Sequence, residues 1–152
     1  MDATSANRVI LLIEDNLEDH ETMLRALKKI GTPATLYCCT TGDDAIDFLL
    51  RKGKYLESKH QEPHIILLDL NLPGTDGREI LQQIKCDEKL KLLPVIVLST
   101  SSDPSDLRIC YESGANSYIV KPIDFKDFIN SLKTIEDYWF KTVLLPNREE
   151  KT

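Results

Sequence analysis

Nowhere in these 152 residues do 18 uncharged apolar residues run together, so the sequence offers no membrane-spanning helix. The first apolar stretch, Val9 to Ile13, runs straight into Glu14 and Asp15. No secretory leader is read either, because MDATSANR is polar and no apolar segment precedes the first strand. Lys and Arg number 19 against 25 Asp and Glu, and a net charge of −6 lacks the basic surface that nucleic-acid binding needs. No cysteine pair has the CxxC spacing of a zinc or redox site. Cys38 and Cys39 are neighbours, which on a strand face opposite ways, so they are not expected to join. With Cys86 and Cys110 they read as reduced thiols of a cytoplasmic protein. Internal repeats and low-complexity segments are also absent. What remains is the length and composition (41% hydrophobic, 29% charged) of one globular domain.

Short apolar runs alternate with helical patterns along the chain. RVILLI (8–13), ATLYCC (34–39), IILLD (65–69), PVIVLS (94–99) and SYIV (117–120) read as strands. Several are apolar at consecutive positions, as suits strands covered on both faces of a parallel sheet. Leu17, Met23, Leu24, Leu27 and Ile30 mark a first helix closed by Gly31. Ala45, Ile46, Leu49 and Leu50 mark a second, and Ile80, Leu81 and Ile84 a third. Leu107, Ile109 and Cys110 give a fourth, stopping at Gly114; the fifth and longest runs from Phe125 through Trp139. Five strand–helix units in succession predict a doubly wound α/β domain. The polar stretch KYLESKHQEPH (54–64) is a long loop at the far end of the third strand, which makes His60 and His64 incidental, like His20 on the first helix.

Functional groups of such a sheet gather where the strands' C-terminal ends open into loops. Glu14 and Asp15 follow the first strand, Asp69 ends the third with Asn71 two residues on, Ser99 and Thr100 end the fourth, and Lys121 with Pro122 follows the fifth. A buried carboxylate is costly unless paired or bound to metal, and two carboxylates about 4 Å apart at an effective dielectric near 20 repel by about 4 kcal/mol. A divalent cation relieves that cost, and an all-oxygen set suits Mg²⁺ rather than zinc. Together with the Lys121 ammonium and the Ser99 hydroxyl, the set can hold Mg²⁺ and a phosphoryl group side by side, with a carboxylate as nucleophile.

LLIEDN, IILLDLNLPGTDG, PVIVLSTS and GANSYIVKP, in this order and spacing over residues 8–134, resemble the receiver domains of bacterial two-component response regulators. The resemblance implies a flavodoxin-like (βα)5 fold with strand order 2-1-3-4-5. It implies that Asp69, exposed at the sheet's edge, accepts a phosphoryl group from a sensor histidine kinase. Asp15, Asp69 and the Asn71 carbonyl would bind Mg²⁺, with Glu14 acting largely through a metal-bound water. Ser99 would hydrogen-bond a phosphoryl oxygen, Lys121 would pair with it, and the Lys121–Pro122 peptide would be cis. Phosphorylation would draw Ser99 inward, with the Tyr118 ring following. Asn71 and Ser101 would flank the path of hydrolytic water and tune the phosphate's lifetime. Glu14 and Ser99 stand where the family often has Asp and Thr.

Residues 135–152 form an extension too short for a DNA-binding output domain, so a stand-alone receiver is expected. Its side chains Trp139, Phe140, Val143, Leu144 and Leu145 either pack back on the domain or form a dimer or partner surface. The long loop, LLDLNLPGTDGRE and the YW…LP ending resemble the single-domain response regulators of cyanobacterial phytochromes, which implies a light-sensing kinase partner and a homodimer. A haloacid-dehalogenase-type phosphatase would want Asp two residues after its nucleophile, where Asn71 stands. A receiver degraded to an interaction module would lack Asp69, Lys121 or the acidic pair. A phosphorelay shuttle, passing the group on to a histidine phosphotransfer protein, shares the same site and stays open as an alternative.

Overall fold

The computed structural model describes residues 8–72, 74 and 76–146. Five strands, β1 (Arg8–Ile13), β2 (Ala34–Cys39), β3 (Ile65–Asp69), β4 (Val95–Ser99) and β5 (Ser117–Val120), pair in parallel in the order β2-β1-β3-β4-β5. This is the predicted order. The helices are α1 (Leu17–Ile30), α2 (Gly42–Leu50), α3 (Gly77–Cys86), α4 (Pro104–Glu112) and α5 (Phe125–Glu136). Side-chain caps start them where the sequence changes period: Asn16, Thr41, Asp76, Asp103 and Asp124 each accept a backbone N–H of the first turn. Gly31 closes α1 in the left-handed conformation, at φ 84°.

The alternation of side chains along each strand divides the core in two. Ile10, Leu12, Ile65, Leu67, Ile96 and Leu98 face Met23 and Ala26 of α1 and Phe128, Leu132 and Ile135 of α5. Leu11, Ile13, Ile66, Leu68, Val95 and Val97 face the other way, onto Phe48 of α2, Ile80, Leu81 and Ile84 of α3, and Cys110 of α4. The central strands are buried on both faces, which is why they read as unbroken apolar runs. All four cysteines are free. No helix among the described residues is long and apolar enough to cross a membrane.

Two expectations are corrected here. Helix α5 stops at Glu136, and a wider π-type turn, Asp137–Thr142, follows. There the Thr142 hydroxyl donates to the Asp137 carbonyl (2.9 Å), and Trp139 and Phe140 both turn onto the α1/α5 side of the core. The Lys121–Pro122 peptide is trans, since no bond among the described residues is cis; trans is the form an X–Pro bond prefers by about 0.5–1 kcal/mol.

Candidate functional site

The parallel register brings the ends of β1, β3 and β4 side by side: Ile13 lies against Leu68, and Asp69 against Leu98. Asp69 therefore ends the middle strand of the sheet. It is not exposed, as the sequence reading had it, but only 6% accessible. Neighbouring strands close both its flanks, and the chain beyond it packs beneath the start of α3, where the Gly77 amide donates to the Leu70 carbonyl (3.0 Å). The edge of a sheet's strands is not the edge of its volume.

Carboxylate oxygens of Glu14, Asp15 and Asp69 all lie within 4.8 Å of one another, Glu14 and Asp69 buried and Asp15 exposed. A donor set that is all carboxylate, acidic and open to solvent on one side fits a hard divalent cation. The Lys121 ammonium meets the same cluster from the β5 side, 2.9 Å from Glu14 Oε1 and 3.9 Å from Asp69 Oδ1. It also lies 3.2 Å from Asp19 Oδ2, a partner the sequence reading missed. Asp19 sits in the first turn of α1, where an acidic residue is ordinary company for the helix dipole. Only the tertiary approach of β5 gives it a second role.

Burial pushes the Glu14 carboxyl up from 4.5 to about 7; Lys121 pulls it down, and the Asp69 charge pushes it further up. Burial by itself would lower the Lys121 ammonium, but Glu14's hydrogen bond and charge outweigh it and hold it above its usual range. The Glu14 shift gives a signed prediction. Folding takes up a proton between 4.5 and about 7, so the contribution is full at low pH and is lost as pH rises through that window. In EDTA, urea titrations are expected to show the protein less stable at about pH 8 than at about pH 5, and Glu14→Gln to remove most of that difference. Equal slopes in the two proteins would contradict the assignment. Cation binding should strengthen over the same window, because the ligand must be deprotonated.

On the other flank, Ser99 is 1% accessible and its hydroxyl accepts the Ser101 N–H (3.1 Å). Tyr118 donates its hydroxyl to the Ser101 carbonyl (2.8 Å) and packs partly buried against the α2–α4 side of the core. Asn71 is exposed, and its N–H reaches Asp69 Oδ1 at 3.3 Å. The structure thus gathers Glu14, Asp15, Asp69 and Lys121 into one cluster, and links Ser99, Ser101 and Tyr118 by hydrogen bonds beside it. It does not bring the tail residues there. Phe140 lies under the Arg8 guanidinium (5.6 Å) and edge-on to His64 (5.8 Å), at the opposite pole. Trp139 is half-buried, Val143 partly so, and Leu144 is 99% accessible.

The family model of the response regulator receiver domain matches residues 10–133. Response regulator Rcp1 of Synechocystis is 39% identical over 145 residues, 95% of this chain and 97% of that protein. The crystal structure of its Mn(2+)-bound form superposes with a TM-score of 0.83 at 40% identity, covering 92% of this chain and 99% of that one. The phosphorylated cyanobacterial phytochrome response regulator RcpA gives a TM-score of 0.86 at 38% identity, over 93% of this chain and all of that one. The probable methanogenesis regulatory protein FilR2 of Methanothrix harundinacea is 39% identical over 132 residues, 86% of this chain and 83% of that protein. The chain belongs to the response regulator receiver family, whose members are signalling proteins.

Proposed function

We propose that this protein is a response regulator that takes a phosphoryl group on Asp69 from the phosphohistidine of a sensor kinase. The observation that carries this reading is the juxtaposition of a three-carboxylate cluster within 4.8 Å with a lysine ammonium 3.9 Å from Asp69 Oδ1. Mg²⁺ would be held by Glu14, Asp15, Asp69 and the Asn71 carbonyl, with Glu14 acting largely through water. When bound, it supplies positive charge to the oxygens of the transferring group. One Asp69 oxygen attacks phosphorus, the phosphorus–nitrogen bond to the donor imidazole breaks, and the leaving imidazole takes a proton from solvent. Lys121 shifts from its carboxylate partners to a phosphoryl oxygen, and the Ser99 hydroxyl donates to another. Water later attacks phosphorus, releasing inorganic phosphate and restoring the carboxylate, with Asn71 and Ser101 flanking its approach. The signal is then the rearrangement of Ser99 and Tyr118.

Likeness to RcpA favours a phytochrome-type kinase as donor. The bare Leu144 side chain and the half-exposed Tyr138 favour a homodimer through the tail. Intact-mass measurement after incubation with acetyl phosphate and Mg²⁺ tests the core of the reading. One added phosphate is expected on the wild type, and none on Asp69→Asn or without metal. Failure of the wild type to take label from acetyl phosphate and from a purified kinase alike would replace this reading with a phosphorylation-independent interaction module.

A further inference from the structure

We propose that Arg78 and Asp106 are positioning residues: their ion pair clamps the β4–α4 loop in its resting arrangement and thereby sets how readily Asp69 is phosphorylated. The inference rests on the function proposed above and adds to it two residues outside the carboxylate cluster. Arg78 Nη1 donates to both oxygens of Asp76, the cap of α3, at 2.7 and 2.9 Å. Its Nη2 donates to Asp106 Oδ1 on α4. The other Asp106 oxygen accepts the Ser101 hydroxyl at 2.7 Å, and Ser101 Oγ in turn accepts the Asp103 N–H at 3.1 Å. Ser101 also holds Ser99 Oγ through its N–H and Tyr118 through its carbonyl. An unbroken hydrogen-bonded chain thus runs from the start of α3 through α4 to the two groups that must move when phosphate arrives.

The chemistry of the pair suits a clamp. A guanidinium presents its donors in a rigid fork, here spent on two carboxylates, one capping α3 and one on α4, so its geometry fixes the distance between them. Both hydrogen-bonding partners hold the Asp106 carboxyl below its usual range, Arg78 first and Ser101 second. Asp106 is therefore a charged acceptor for the Ser101 hydroxyl at any physiological pH, and the loop stays tethered whatever the state of Glu14. Single ion pairs on a surface do little for global stability. A two-state loop is a different matter, because any contact made in only one state biases the equilibrium by its full differential strength.

The test uses the whole chain, with Arg78→Ala, Asp106→Asn and the double variant. Initial labelling by acetyl phosphate with saturating Mg²⁺ is expected to rise about fivefold in each single variant, equivalent to about 1 kcal/mol of lost bias. The double variant should rise no further, since both changes cut one link. Unchanged Mg²⁺ affinity and thermal midpoint would separate positioning from general loosening. The conservative variant Arg78→Lys, which keeps a cation beside Asp106 and leaves the Ser101 link intact, should return labelling part of the way towards the wild-type rate. Amide exchange at Ser101 in the metal-free protein gives a second readout, expected to quicken by a similar factor. Unchanged labelling and exchange would overturn the clamp, as would labelling that slows or that adds across the double variant. A wild type that takes no label would instead sink the phosphorylation reading, leaving Ser101 exchange to decide the clamp.

Discussion

Lys121→Ala is expected to abolish labelling by acetyl phosphate to within background while tightening, not weakening, the binding of Mg²⁺. The ammonium lies within 4 Å of Glu14, Asp19 and Asp69 and is the cation that all three share. As an electrostatic group aimed at the transferring phosphoryl, its loss should cost about 100-fold or more in rate, the scale seen for removing one preorganised donor. In the resting protein it competes with the metal for the same oxygens, so its removal leaves the cluster more negative and hungrier for a cation. Stability separates the effects further. Breaking one side of a buried pair costs about 3–5 kcal/mol when the remaining charge cannot neutralise. Glu14, already raised to about 7, can do so by keeping its proton. The variant should therefore lose stability mainly at about pH 8 and little at about pH 5. Equal losses at both, by urea titration in EDTA, or Mg²⁺ binding weaker than the wild type's, would refute this account of the site.

Gly77→Ala is expected to destabilise the fold by about 3 kcal/mol and to weaken metal binding, although no atom of Gly77 belongs to the site. Helix propensity alone points the other way, favouring Ala by up to about 1 kcal/mol. Contact decides it. A Cβ at position 77 would lie 2.6 Å from Leu70 Cα, 2.7 Å from the Asp69 carbonyl oxygen and 2.9 Å from that of Leu70. All three are backbone atoms, which cannot swing aside as a side-chain tip could, so relief requires moving the peptide that carries Asp69. Gly74→Ala is the control: nothing lies within 4 Å of its Cβ, and only the cost of φ +82° applies, about 1–2 kcal/mol. A denaturation series in which both variants lose the same amount, or a Gly77→Ala protein with wild-type Mg²⁺ affinity, would count against this.

The sheet could be read from the sequence because its central strands are continuous apolar runs between glycine- and proline-marked turns, and local pattern sets such strands. Asp69 was legible for the same reason, as a charge interrupting an apolar run. Its burial was not legible, because that depends on β1 and β4 closing on either side. In the sequence Asp19 is one more acid in a helix's first turn, and Arg78 and Asp106 are two charges 28 residues apart. Only packing converts them into partners. Gly77 shows the same limit from the opposite side, since "DG" before a helix reads as a turn and says nothing of a backbone pressed against it. The fifth helix was overextended because Trp139 keeps helical spacing with Leu132 and Ile135, a periodicity that a π-type turn preserves well enough to deceive.

At the pole away from Asp69, the first residue of β1 and the last residue of α5 meet: Arg8 lies 3.9 Å from the buried Glu136, with Phe140 stacked beneath the guanidinium. The start of β1 and the end of α5 therefore lie together on one side, like two leads at a single socket. A fluorescent or affinity partner joined directly at Arg8 would stand clear of the phosphoryl pole. A circular permutant that joins the two flanks and opens the 54–64 loop instead would keep every strand pairing intact. In engineering terms, the pole that carries Arg8 and Glu136 is the one by which the domain can be held with its reactive face turned away.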